Sequence, residues 1–210
     1  MTGVTGTIHL LAGRPESDYL AMYKHHERIR IMPLGVEEWQ VIQNKPPGWL
    51  ACHNYLRALS LSANNLVVVE DDVAFRDFWQ AKMEAVVREI EDVGRYHAYY
   101  LSLYSPTMIT TRTTRSYGHL PYRFFCGMQA FYYPRRVVEA TREFFKSVLE
   151  YEGAEGEIKP DIVLNKLAEE QKTPIFTTKY SLVQHVGKQS SLASGWHDSP
   201  SFYLEGNTVV

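Results

Sequence analysis

The run Leu66-Val67-Val68-Val69-Glu70-Asp71-Asp72 limits what this chain can fold into more than any other stretch. Four consecutive β-favouring residues predict a buried strand. The acids that follow repel one another, and a divalent cation placed among them removes that repulsion. Carboxylate oxygens suit Mg²⁺ or Mn²⁺, and Mg²⁺ is commonly shared between one or two carboxylates and substrate phosphates. In an open α/β sheet, ligands bind beyond the carboxyl ends of the strands. The acids are therefore a candidate nucleotide-diphosphate site, although a solvated turn at a strand end would use the same residues.

The chain has 210 residues, 45% of them hydrophobic and 22% charged, which fits one α/β domain with a substantial core. A formal net charge of −2 argues against a general nucleic-acid binder. Two cysteines, Cys52 and Cys126, make no disulfide framework and suit a reducing compartment. Met1 to Leu11 lacks the basic and apolar regions of a signal peptide, and no window has the length of a transmembrane segment. The expectation is a soluble, cytoplasmic chain or a domain of a larger protein.

Strand and helix signals alternate along the sequence. Thr7–Leu11 reads as a strand, followed by a helix capped by Ser17 or Asp18 and carrying Leu20, Met22 and Tyr23. Asn44–Gly48 reads as a loop, His53–Ala63 as a helix and Leu66–Val69 as a strand. Trp79, Met83, Val86, Val87 and Ile90 form one apolar stripe on a helix over Asp77–Val93, with Gly94 at its end. Tyr99–Tyr104 and Met128–Tyr133 read as strands, and the Thr- and Arg-rich Thr107–His119 between them as a loop or exposed hairpin. Helices over Arg136–Leu149 and Asp161–Glu170 flank an acidic linker, Glu150–Lys159. Ile175–Thr178 and Ser181–Val183 are short strands, and the tail from Ser194 has no periodicity. This alternation predicts a single α/β domain with a mostly parallel central sheet flanked by helices.

Three segments carry a resemblance. His53-Asn54-Tyr55-Leu56-Arg57-Ala58-Leu59, then Val67 to Asp72, then Phe78, resembles the metal-site region of GT-A-fold N-acetylglucosaminyltransferases. Ser181-Leu182-Val183-Gln184-His185-Val186-Gly187-Lys188-Gln189-Ser190-Ser191-Leu192 is similar to the Gln-His-x-Gly-x-x-Ser-Ser-Leu signature of the N-acetylglucosaminyltransferase IV group. Phe125-Cys126-Gly127-Met128-Gln129-Ala130-Phe131-Tyr132 is similar to the Cys-Gly-x-x-Ala-Tyr segment of glycosyltransferase family 25. The segments span Ile8 to Leu192 in the right order, and the whole resembles a bare catalytic domain of the bacterial or large-DNA-virus kind.

The resemblance implies a single GT-A (Rossmann-like) domain. Residues 1–105 would form a nucleotide-binding half, 106–192 an acceptor and metal-completing half, and 193–210 a tail. It implies a UDP-sugar donor, Mn²⁺ or Mg²⁺, and a saccharide or glycoconjugate acceptor. Asp72 would hold the metal as the last acid of a DxD-like motif, with Glu70 turned toward ribose or a metal-bound water and Asp71 ranked below Asp72 as a ligand. His185 would complete the metal site, and Gly187 and Lys188 would meet the diphosphate. Ala12, Gly13 and Arg14 would lie over the nucleotide base, and Gly127 beside the donor sugar.

Some roles stay divided. His185 also fits a histidine bonded within a loop, and Ser190-Ser191 a turn. Asp161 fits a general base beside the acceptor hydroxyl, an acceptor-binding acid, or an N-cap. Arg57 fits an ion pair with Glu70 or Asp71. Two rival functions use the same acids: a metal-dependent phosphoesterase, and a non-catalytic nucleotide-sugar-binding domain of a larger protein. The first usually recruits clustered His and Asp ligands that are missing near Glu70.

Overall fold

A computed structural model describes residues 8–11, 27, 29–105, 113–125, 127–151, 158–186 and 199–203. β1 (Ile8–Leu11) pairs in parallel with β2 (Ile29–Met32) as a small sheet of its own. In β2, half-buried Ile29 and Ile31 alternate with exposed Arg30 and Met32, the period of a one-sided strand. α1 (Val36–Ile42) has Glu37 and Glu38 in its first turn, where the helix dipole favours them. α2 (Pro47–Leu59) begins ahead of the predicted His53, because proline at the first helical position needs no donor and already has a helical φ. Gly48 is required there: a Cβ would lie 1.8 Å from the Ile158 carbonyl oxygen.

β3 (Leu66–Val69) is followed by β4 (Val73–Phe75) and by α3 (Trp79–Arg88), which runs on into a π-helical turn, Glu89–Val93. Then come β5 (Tyr100–Ser102), β6 (Tyr117–His119), β7 (Ala130–Tyr133), α4 (Arg135–Tyr151) and α5 (Pro160–Glu170). β8 (Ile175–Thr178), β9 (Val183–His185) and α6 (Pro200–Tyr203) complete the order. The main sheet runs β3-β7-β5-β8-β6, and β4 pairs with β9 separately.

The sheet is mixed, which corrects the expectation of mostly parallel strands. Only β5–β8 is a parallel pair; β3–β7, β5–β7 and β6–β8 are antiparallel. The reason lies in the helical connections. One helix, α3, separates β3 from β5, so the two share a direction, and β7 is inserted between them. Two helices, α4 and α5, separate β7 from β8, and the second turns the chain back. β3, β5 and β8 thus end at one edge of the sheet, where β7 and β6 begin. Chain reversal hid in a pattern that reads as plain alternation.

Side-chain alternation divides the core between two faces. Val68, Phe131, Tyr133, Tyr100 and Ile175 pack toward α2, α4 and α5 with Cys52, Leu59, Phe145 and Leu164. Val67, Val69, Ala130, Tyr132, Leu101 and Phe176 pack toward α3 with Met83, Val86 and Ile90. Burying each such Leu, Val or Phe side chain is worth about 1.5–3 kcal/mol. Glu70 continues the Leu66–Val68 side of β3, which delivers its carboxylate to the α2–α5 face.

The predicted tail is partly built in. Ser181 N–H donates to Ser201 Oγ at 3.0 Å, Ser199 N–H to Gln184 Oε1 at 3.0 Å, and Ser105 N–H to Ser181 Oγ at 3.1 Å. Ser181, Ser199 and Ser201 are fully buried, so these bonds replace water and fasten residues 199–203 against β9 and the end of β5.

Candidate metal centre

Local pairing at the sheet edge assembles the centre. β4 and β9 are antiparallel, with Val73 opposite His185. Val186 N–H extends this ladder by donating to the Asp72 carbonyl at 2.8 Å. His185 is thereby a strand residue, not a loop residue, and its Nε2 lies 2.8 Å from Asp72 Oδ2. The imidazole is almost fully buried while the Asp72 side chain is 35% exposed, so the pair is accessible from the carboxylate side. Glu70 joins them: one ligand atom from each of Glu70, Asp72 and His185 lies within 4.8 Å of the others. Two carboxylates and an imidazole suit Mn²⁺ or a similar divalent ion, with coordination positions left for phosphate and water.

Glu70 bears the electrostatic cost. Its carboxyl is pushed up from the usual 4.5 to about 7, first by burial and then by Asp72, Asp71 and Asp161. Asp71 is exposed in the turn and stands outside the triad, so the structure places it as a neighbouring charge and not as a ligand with the other three.

Asp161 comes from the first turn of α5. Its Oδ2 accepts the Gly127 N–H at 3.1 Å, and its Oδ1 accepts the Ile162 N–H at 3.0 Å. Lys159, not Asp161, occupies the N-cap position and makes no side-chain cap bond, so the N-cap reading falls away. Gly127 has φ +79°, a left-handed conformation natural to glycine. A Cβ there would also meet the Gln129 side-chain amide at 2.6 Å. Asp161, Gly127 and Glu70 are therefore neighbours.

Sequence reasoning missed two residues of this environment. Tyr55, on the buried stripe of α2, donates its hydroxyl to the Met128 carbonyl and braces the start of β7. In the sequence it stands only inside the His53–Leu59 resemblance segment, with no role of its own. Gln129 lies opposite Glu70, whose N–H donates to the Gln129 carbonyl at 2.8 Å. It falls on a variable position of the Cys-Gly-x-x-Ala motif, which gave no signal. Cys52 is a buried core thiol, pushed up to about 12 by burial and then by Asp161, which disfavours the nucleophilic thiolate. Arg57 instead fastens the segment after β2, donating to the Met32 and Pro33 carbonyls at 3.1 and 3.2 Å.

Ala12, Gly13, Arg14, Gly187 and Lys188 lie outside the described residues, as do Cys126 and Ser190-Ser191. Two surface clefts lie elsewhere: one of about 330 Å³ between Tyr96 and β6, and one of about 450 Å³ between α2 and α4. Neither is lined by Glu70, Asp72 or His185. Among the described residues no helix is long and apolar enough to cross a membrane. In comparisons with protein-family models and with curated proteins, the chain matches none.

Proposed function

We propose that this chain is a metal-dependent glycosyltransferase of the GT-A kind, moving a sugar from a UDP-sugar to a saccharide acceptor. The observation that carries the reading is the meeting of Asp72 and His185 at 2.8 Å, beside Glu70, on the edge where β3, β5 and β8 end. The first two residues come from segments that separately resemble glycosyltransferase metal motifs. Mn²⁺ or Mg²⁺ bound there would neutralise charge developing on the leaving diphosphate. Asp72 and His185 are pre-set for it by the β4–β9 ladder, and Glu70 supplies a third ligand atom. Asp161 holds the Gly127 turn through its N–H and is the acid available to the acceptor hydroxyl.

Calorimetric titration of UDP and GDP, with Mn²⁺ and then with EDTA, tests the reading. Mn²⁺-dependent UDP binding is expected. No binding of either nucleotide under either condition would overturn it. The base role of Asp161 has its own test: Asp161→Asn is expected to abolish transfer while leaving donor affinity within about threefold. Unchanged transfer would remove Asp161 from the chemistry.

A further inference from the structure

The Glu70 side of the centre holds a polar group that the metal does not explain. Gln129 is 7% exposed, and its side-chain Oε1 is buried with no hydrogen-bond partner among the described residues. Buried amide oxygens are nearly always paired, and leaving one unpaired typically costs about 1–3 kcal/mol. Where such a group persists beside a candidate site, a ligand is the natural partner.

Its position is well defined. The β3–β7 register places Val69 opposite Ala130, and the next pair is Glu70 opposite Gln129. Directly opposed residues of an antiparallel pair project to the same face, so Gln129 and Glu70 stand side by side on the α2–α5 face. Both amide atoms lie 2.6 Å from where a Cβ of Gly127 would be, so the side chain folds back over the Gly127 turn. That turn is tied to Asp161. The amide is therefore held between the metal-side carboxylate and the acid proposed to face the acceptor, where a transferred sugar would lie.

The chemistry selects what it meets. A neutral amide beside several carboxylates adds nothing to cation charge balance, and an anionic phosphate is drawn to the metal instead. An amide offers one acceptor and a pair of donors. Its match is a group that donates and accepts at once: a sugar hydroxyl or an acetamido N–H and carbonyl. We infer that Gln129 contacts the transferred sugar and selects it by a hydrogen bond to such a group. This inference rests on the reading of the site as a nucleotide-sugar site. A buried polar group built to pair with a substrate donor discriminates strongly against analogues that lack it.

The test is titration of UDP, UDP-glucose, UDP-galactose and UDP-N-acetylglucosamine, each with Mn²⁺, into the wild type, Gln129→Met and Gln129→Asn. Methionine keeps the volume and removes the amide; asparagine keeps the amide and shortens its reach, so one variant covers the other if folding is impaired. The wild type is expected to prefer one sugar. Both variants should bind UDP within threefold of wild type, with that preference reduced at least tenfold. If UDP binds but the variants keep the wild-type preference, or the wild type has none, Gln129 does not read the sugar and the donor-site reading stands. If UDP and the UDP-sugars weaken equally, the amide acts on the diphosphate side and the inference is overturned. If the wild type binds no UDP with Mn²⁺, both the site reading and this inference fall.

Discussion

The two sides of the metal centre are built on different principles. Asp72 and His185 sit on a backbone ladder whose hydrogen bonds are satisfied whether or not a cation is present. Glu70 and Gln129 sit on the buried face of the sheet, one with its proton affinity raised and the other with an unpaired oxygen. The ladder side is geometrically pre-formed, whereas the Glu70 side stores unfavourable electrostatics that a bound cation and ligand relieve. Pre-organisation of this kind places the energetic cost in folding and lowers it for binding.

The sharpest way to break this comparison is to remove a ladder-side ligand. Asp72→Ala and His185→Ala are each expected to weaken Mn²⁺-dependent UDP binding at least 100-fold by calorimetry, Asp72→Ala with little change in melting temperature. Asp72 is partly exposed and its backbone bonds are unaffected by truncation, so the fold tolerates the change. Unchanged affinity in both variants would mean that the cation, if any, sits elsewhere.

Glu70→Gln probes the opposite side, and the sign differs. Glu70 has its folded pKa raised from 4.5 to about 7, so between those values the native state holds a proton that the unfolded chain has released. Its favourable contribution is complete below about pH 4.5 and is lost as pH rises through 7. At about 1.4 kcal/mol per unit, the metal-free protein loses on the order of 3 kcal/mol across that window. Urea unfolding should show the loss in the wild type and its absence in Glu70→Gln, which is expected to be the more stable protein at pH 8 without metal. Mn²⁺ should stabilise the wild type more at pH 8 than at pH 5. A pH slope that survives the substitution would assign it to another group.

Much of this arrangement was readable beforehand, and what was not has physical causes. Glu70, Asp72 and His185, which the structure brings together, could be singled out because ligand chemistry needs particular residue types, which sequence displays directly. The apolar stripe of α3 was found because helical burial repeats every three or four residues. β4 was missed, and β9 was expected two residues early at Ser181–Val183, because a strand of three residues is too short for a period to show. Strand direction was misread because it depends on the number of helices between strands, and the residues between α4 and α5 look like any linker. Gln129 was invisible because its importance comes from its cross-strand neighbour, which no local pattern encodes.

Gly127→Ala tests how the Glu70 side is held. The substitution meets both a left-handed φ and a Cβ contact of 2.6 Å with the Gln129 amide. A cost of about 2 kcal/mol is expected in urea unfolding, from backbone strain and displacement of the amide. Sugar preference should fall with it while Mn²⁺ affinity is retained. A variant as stable as the wild type would show that the turn relaxes freely and that the amide is not confined.

Ser201→Ala makes the smallest perturbation and asks whether the ladder side supports itself. Ser201 Oγ accepts the buried Ser181 N–H at 3.0 Å, and Ser181 lies just ahead of the strand that carries His185. Removing the hydroxyl leaves that N–H without its acceptor in a dry environment, for an expected cost of about 1 kcal/mol. The backbone of His185 is held by β4, through Val73 opposite His185 and the Val186 N–H on the Asp72 carbonyl. Mn²⁺ affinity should therefore stay within about twofold of wild type. A larger loss would show that the bonds around residues 199–203 hold the histidine as well as the fold, and the ladder side would then be no more self-sufficient than the Glu70 side it faces.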